Sequence, residues 1–141
     1  MNTQPTPAFH SKVNKQLFMV AVVVPDYDEA IAHYTQAWGF ELLEDSVQAP
    51  EKRWVRVAPP GSSCALLLAK AATPAQEAAI GQQTGGRVFL FLHCEDLDAD
   101  LARLAHHGCH PEAPVRQEEY GKVCVVADRF GNRWDLIQPL S

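Results

Sequence analysis

A chain of 141 residues, 47% hydrophobic and only 21% charged, is sized for one globular domain with a substantial core, which confines disorder to the ends. Its net charge is −5 and its Lys and Arg residues are scattered, so it carries no footprint for nucleic acid or for an anionic membrane surface. No stretch is long enough to span a bilayer, which leaves small molecules or proteins as the expected partners.

The opening "MNTQPTPAFHSKVNKQ" (1–16) is polar and proline-containing, with no apolar h-region, and reads as a flexible lead-in to a cytoplasmic protein and not as a signal peptide. The run "LFMVAVVV" (17–24) is β-branched and ends at Pro25, where "PDYDEA" offers Asp26 as a helix N-cap with Glu29 three residues on. In the helix that follows, Tyr27, Ala30, Ile31, Tyr34, Ala37 and Trp38 recur at three- and four-residue spacing, and Gly39 stands at the C-cap. Three short strands are predicted next, "FELLED", "RWVRVA" and "CALLLA", separated by "SVQAPEK" and by the turn "PPGSS". The first half is therefore β-α-β-β-β. An alanine- and glutamine-rich crossover, "AKAATPAQEAAIGQQTGG", is expected to be partly helical.

The second half repeats the order: strand "VFLFLHC" (88–94), N-cap Asp96, a helix with the stripe Leu97, Leu101, Leu104 and Ala105, Gly108, then "CHPEAPV", "KVCVVA" and "RWDLIQ". A constant shift of 70 positions carries Asp26, Asp28, Ile31 and Ala32 onto Asp96, Asp98, Leu101 and Ala102, and Gly61 onto Gly131. One unit has been written twice. The division is a single domain over 17–141: repeat one 17–69, crossover 70–86 and repeat two 87–139.

These two units, with "VPDYDEAIAHYTQAWGF" after the first strand and "DRFGNRWDLIQP" at the end, resemble the vicinal oxygen chelate superfamily, which comprises glyoxalases, bleomycin-resistance proteins and extradiol dioxygenases. The resemblance implies an α+β fold in which two βαβββ repeats form a curved mixed-sheet cup, and it implies a homodimer. It does not name a reaction, because that fold hosts isomerases, lyases, dioxygenases and antibiotic-sequestering proteins. Metal enzymes of the family place one ligand on the first and one on the last strand of each unit. Those positions fall on Met19, Ala65, Phe89 and Asp135. A thioether, a methyl group, a phenyl ring and one carboxylate do not make a divalent metal site, so neither metal nor other cofactor is expected.

By strand parity Phe91 and His93 face the cup beside these four, and Arg133 lies near Asp135, which makes a largely apolar site with a few polar groups. Met19, Ala65, Phe89, Phe91, His93, Arg133 and Asp135 are the candidate ligand-binding residues, with His93 and Asp135 the candidates for any chemistry. Each of the latter has a structural alternative: His93 as a satisfied core histidine, Asp135 as the ion-pair partner of Arg133.

Other tempting residues have plainer readings. In "HHGCH" (His106, His107, Cys109, His110) the adjacent histidines sit at a helix C-terminus, whose partial charge favours them. "HCE" (93–95) has the H-x-E of zinc deaminases without the P-C-x-x-C that should follow. His33 falls on the polar side of its helix and is expected to be solvated. Trp38, Trp54 and Trp134 read first as core or interface anchors, although Trp54 can instead reach a ligand, its strand register being open. Cys64, Cys94, Cys109 and Cys124 form no CxxC pair and read most simply as reduced core thiols, disulfides staying open on an even count.

Three functional readings follow. One is a metal-free protein of the glyoxalase and bleomycin-resistance type that binds a small hydrophobic or aromatic molecule. A second is a metal-dependent lyase or dioxygenase with rearranged ligands, such as His93 and Asp135 with Glu118 or Glu119. The third is a non-catalytic interaction domain.

Overall fold

The structure, a computed structural model, describes residues 14–140; most of the expected lead-in, residues 1–13, lies outside the described residues, as does Ser141. The first half runs β1 (Met19–Val24), α1 (Tyr27–Gln36), β2 (Glu41–Ala49), β3 (Lys52–Ala58) and β4 (Ala65–Lys70). A short helix, α2 (Pro74–Ala79), leads to the second half, β5 (Leu90–His93), α3 (Leu97–His106), β6 (Arg116–Glu118), β7 (Gly121–Ala127) and β8 (Arg133–Pro139). Two four-stranded mixed sheets result, ordered β1-β4-β3-β2 and β5-β8-β7-β6. In each, the first and last strands pair in parallel and the other pairings are antiparallel. The α+β architecture and the repeat therefore stand as the sequence predicts.

Local chemistry explains the matching halves. Asp26 caps α1 by accepting from the Glu29 backbone N–H at 2.9 Å, and Asp96 caps α3 by accepting from that of Ala99 at 3.1 Å. Glu29, the other half of the expected capping box, is drawn instead to Arg129 at 2.6 Å. Gly61 and Gly131 both adopt positive φ, 79° and 94°, in the turns ahead of β4 and β8, a backbone that residues with a Cβ reach only with strain. Thr73 caps α2, none of whose residues is buried, and the crossover is helical only over this one short segment.

Two differences from the sequence reading concern strands. β2 continues through "SVQA" to Ala49, because these residues pair with the hairpin partner β3 across the tight turn at Pro50 and Glu51, the latter with φ 66°. "CHPEAPV" is not a strand: only Pro111 makes an isolated bridge, to Val126, and the strand in that place is the three-residue β6. Two prolines in seven residues remove the donors a ladder needs. All four cysteines are free thiols; Cys94, Cys109 and Cys124 are buried and Cys64 is half-buried. Burial pushes the Cys94 thiol up to about 12, so it stays protonated and inert. Among the described residues no helix is long and apolar enough to cross a membrane.

The halves are joined through an aromatic cluster and one carboxylate. Tyr34, Trp38 and Phe40 from the first half pack around Trp134 of β8, with the Trp38 and Trp134 rings 4.7 Å apart between centroids. Asp128, buried in the turn before β8, accepts five hydrogen bonds. Its Oδ1 takes the backbone N–H groups of Phe130 and Asn132, and its Oδ2 takes Tyr34 Oη (2.5 Å), Trp134 Nε1 (3.0 Å) and Asn132 Nδ2 (3.1 Å). A buried acid is tolerable only when so supplied. Burial, reinforced by the neighbouring Asp128 carboxylate, holds the Tyr34 hydroxyl well above its ordinary range, keeping it a donor. Gln83 of the crossover adds a further tie: its side-chain amide bonds both the N–H and the C=O of Val23 in β1 and donates to Asn132 Oδ1.

His33 corrects the sequence reading, for it is buried, not solvated. Its Nε2 accepts from Trp38 Nε1 at 3.1 Å and from the backbone N–H of Arg129 at 3.0 Å, so the ring is neutral with its proton on Nδ1. The turn from the other repeat covers what would otherwise be an exposed helix face.

Two outcomes are expected. Asp128→Ala strands Tyr34, Trp134 and Asn132 donors in the interior and should lower the unfolding free energy in urea by about 3–5 kcal/mol. For His33, burial holds the folded-state pKa below its ordinary value, outweighing the opposing pull of Asp128. Stability from this residue is complete above about pH 6.5 and is lost as the pH falls through the lower folded value, because the unfolded chain then binds the extra proton. Urea midpoints from about pH 7.5 to about pH 5.5 should fall more steeply for the wild type than for His33→Gln, which keeps an acceptor but cannot titrate.

Candidate functional site

Strand register decides which side chains face away from the helices, into the predicted cup. In the first sheet Val22, Val24, Leu66 and Leu68 are buried toward α1, so Met19, Ala21 and Val23, paired with Ala65, Leu67 and Ala69, take the opposite face. Arg56 pairs with Leu67 and shares that face, and Trp54 follows it there two residues away, opposite Ser46. The open register of Trp54 is thereby settled: it is a half-buried cup residue, whereas Trp38 and Trp134 are core. In the second sheet Trp134 and Leu136 are buried toward the core, and Phe91 pairs with Asp135 and His93 with Ile137 on the cup side. Across β7, Val125 lies opposite Asp135 and Val123 opposite Ile137; Arg116 of β6, which the sequence reading did not single out, lies opposite Val123 on the same face.

The seven candidate residues do not converge on one cavity. Phe91, 68% exposed, and His93, also exposed, border an open hollow of about 450 Å³ with Ile137 and the turn Pro59–Ser62. Exposure removes the alternative of His93 as a core histidine. Ala65 and Phe91 also touch a smaller apolar cavity of about 140 Å³ at the seam between the sheets, lined by Val20, Phe40, Leu90 and Trp134 among others. Met19, Phe89, Arg133 and Asp135 line neither space. Phe89 is half-buried and packs on the core, its backbone N–H bonded to Arg133 O, so it is a packing residue.

Charge placement removes the alternative in which Asp135 pairs with Arg133. Arg133 forms a two-point bond with Glu112, Nε to Oε2 at 2.7 Å and Nη2 to Oε1 at 2.8 Å, and donates a third bond to Gly86 O. That guanidinium holds the Glu112 carboxyl below its usual range. Arg116, the other cation on this face, is engaged by Glu118 at 3.0 Å. Asp135 is left without either: its Oδ1 is the one buried side-chain oxygen or nitrogen without a hydrogen-bond partner among the described residues.

Met19, Ala65, Phe89 and Asp135, the positions expected from the sequence for a family metal centre, offer one carboxylate. Nor do three His, Cys, Asp or Glu residues converge elsewhere among the described residues, which sets aside the set of His93 and Asp135 with Glu118 or Glu119. The same holds for "HHGCH", where His106, His107 and His110 are exposed and Cys109 is buried. The residues present do not fit a divalent catalytic ion.

Comparison with known proteins accords with this geometry. The sequence model of the Glyoxalase/Bleomycin resistance protein/Dioxygenase superfamily matches residues 16–136. The chain belongs to that superfamily. Relatives of this glyoxalase-superfamily protein include an uncharacterized protein of Shewanella frigidimarina (strain NCIMB 400), 46% identical over 128 residues that cover 89% of this chain and 95% of that protein. The uncharacterized protein YetH of Bacillus subtilis (strain 168) is 30% identical over 119 residues, covering 84% and 93%. Among solved structures, TnmS3, an antibiotic binding protein from Streptomyces sp. CB03234, is similar with a TM-score of 0.72 at 30% identity, over 91% of this chain and 98% of that one.

Double-mutant cycles test the charge assignment. Arg133 and Glu112 should show a coupling of up to about 1 kcal/mol, as half-exposed pairs do, and Arg133 with Asp135 a coupling near zero. Asp135→Asn alone should leave urea stability unchanged or raise it slightly, since no donor is lost.

Proposed function

We propose that this glyoxalase-superfamily protein binds a small hydrophobic or aromatic molecule on the cup face of its second sheet, without a metal ion, and that a second copy of the chain closes the site. The observation that carries the reading is Phe91: a phenyl ring 68% exposed, on a strand whose alternate residues are packed inward, beside the hollow that the Pro59–Ser62 turn walls. Exposed aromatic rings bordering a hollow with a few polar groups are the usual composition of a small-molecule site. A metal-free site is favoured by the donor set, one carboxylate among a thioether, a methyl group and a phenyl ring. The likeness to TnmS3, an antibiotic binding protein 30% identical over nearly the whole chain, favours sequestration of such a molecule over its turnover.

The cup faces of both sheets are open within one chain, with Ala21 exposed on the first and Phe91 and His93 on the second. A two-fold pairing that lays the first sheet of one copy across the second sheet of the other covers both at once. Light scattering should therefore give twice the chain mass. Screening planar aromatic compounds by thermal shift should yield ligands that raise the melting temperature, since one present at 100 times its Kd adds about 2.7 kcal/mol of stability. Phe91→Ser should weaken such ligands about tenfold without changing the melting temperature of the free protein, because the ring is exposed and buries little. Zinc, manganese, nickel and iron should leave the melting temperature unchanged. One tightly held metal per chain in the purified protein, or undiminished binding by Phe91→Ser, would count against the reading.

A further inference from the structure

Asp135 is placed like a structural residue and bonded like an unfinished one. It sits mid-strand in β8 with Phe91 and Val125 as its cross-strand neighbours, and its Oδ1 is buried with no donor. Asp135 is half-buried, so its carboxylate can still be reached from the cup, while Oδ1 has lost water and gained no donor in exchange, a condition folded proteins seldom leave. Neither cation on this face of the sheet hydrogen-bonds it, although Arg116 is close enough to interact with its charge. Arg133 is fixed by Glu112 and Gly86 O, and Arg116 by Glu118. The turn of the same repeat shows what a provided-for acid looks like, Asp128 with its five donors.

We infer that the ligand of this cup is a cation: an aromatic or planar body carrying a protonated amine or amidinium, its ring against Phe91 in the hollow and its nitrogen reaching beyond the hollow's edge to Asp135, the cross-strand partner of Phe91. The inference rests on the proposed ligand-binding function and adds the charge of the ligand to it. A neutral hydroxyl would donate a hydrogen bond but add no charge beside a carboxylate whose cationic neighbour on this face, Arg116, is exposed and bonded to Glu118. An ammonium or amidinium supplies donor and charge together. The exposed Phe91 ring directly across the register is itself a favourable neighbour for a cation, through the negative face of its π system. A net charge of −5 on the chain attracts such a ligand and disfavours an anionic one.

The test compares two fluorescent probes, proflavine, a planar tricyclic cation, and 8-anilinonaphthalene-1-sulfonate, an aromatic anion, titrated into the full chain. Asp135→Asn should weaken proflavine about tenfold or more and leave the anion unchanged or tighter. Asp135→Glu, which keeps the charge, should recover part of the loss. Wild-type affinity for proflavine should also fall as salt is raised from about 50 to about 500 mM, a readout that needs no variant. Proflavine binding that is lost in Phe91→Ser but indifferent to Asp135→Asn and to salt would overturn the cation while leaving the binding site standing. Failure of both probes to bind the wild type would overturn the binding reading itself, and the cation with it. If Asp135→Asn instead dissociated the dimer with proflavine affinity intact, the donor for Asp135 would belong to the second copy and the inference would fall.

Discussion

The Asp128 carboxylate is the point on which the two repeats depend. Each repeat has one sheet and one long helix, and neither can cover the aromatic residues at its inner end alone. Tyr34 reaches from the first repeat to donate to an acid in the second, and Trp134 donates to the same oxygen from β8. The two ring systems are thereby held in contact, and Trp38 and Phe40 pack around them. Removing water from a carboxylate is costly, so the arrangement is stable only while every donor is present. His33 extends the same junction, its neutral ring accepting from Trp38 and from the backbone beside Asp128. The junction holds each sheet with its helix side sealed and its other side open.

The open sides are where function is read. Two acids seven residues apart, Asp128 and Asp135, stand in opposite conditions, one saturated with donors and the other lacking any on its buried oxygen. The difference follows from backbone geometry. A turn can aim several N–H groups at one side chain, as the Asp128 turn does. A mid-strand residue has only side chains around it, and the cross-strand neighbours of Asp135, Phe91 and Val125, carry no donor. The first sheet's cup face is also mostly apolar, relieved by Trp54 and by the Arg56–Glu44 pair at 3.0 Å.

Much of this was legible in the sequence because it is local. The caps Asp26 and Asp96, the turn glycines Gly61 and Gly131, and the side each strand residue faces are set by neighbours within a few positions, and the 70-residue shift checks each against its copy. What was not legible depends on contacts between the halves. His33 occupies a polar helix position and is buried only because Trp38 and the turn at Arg129 close over it. Arg133 shares a face with Asp135, yet its partner is Glu112, which parity cannot reveal. Phe89 has the parity of a cup residue but packs on the core near the start of a strand, and β6 is too short and too charged to carry a periodic signal. The fold was thus readable almost entire; of the site, the face was readable and the pairing of its charges was not.

Gln83 carries a consequence of a different kind. β1 is an outer strand of its sheet, and the N–H and C=O of Val23 point away from β4 toward the free edge. The glutamine amide presents one donor and one acceptor at the spacing of a peptide group, so it occupies the place that a foreign strand would need to begin pairing there. Anchored to Asn132 through the same amide nitrogen, it cannot swing away without also loosening the turn that holds Asp128. A chain whose other apolar faces lie open is in this way protected at one strand edge from adding to itself indefinitely, by a single side chain from the otherwise unremarkable segment between its repeats.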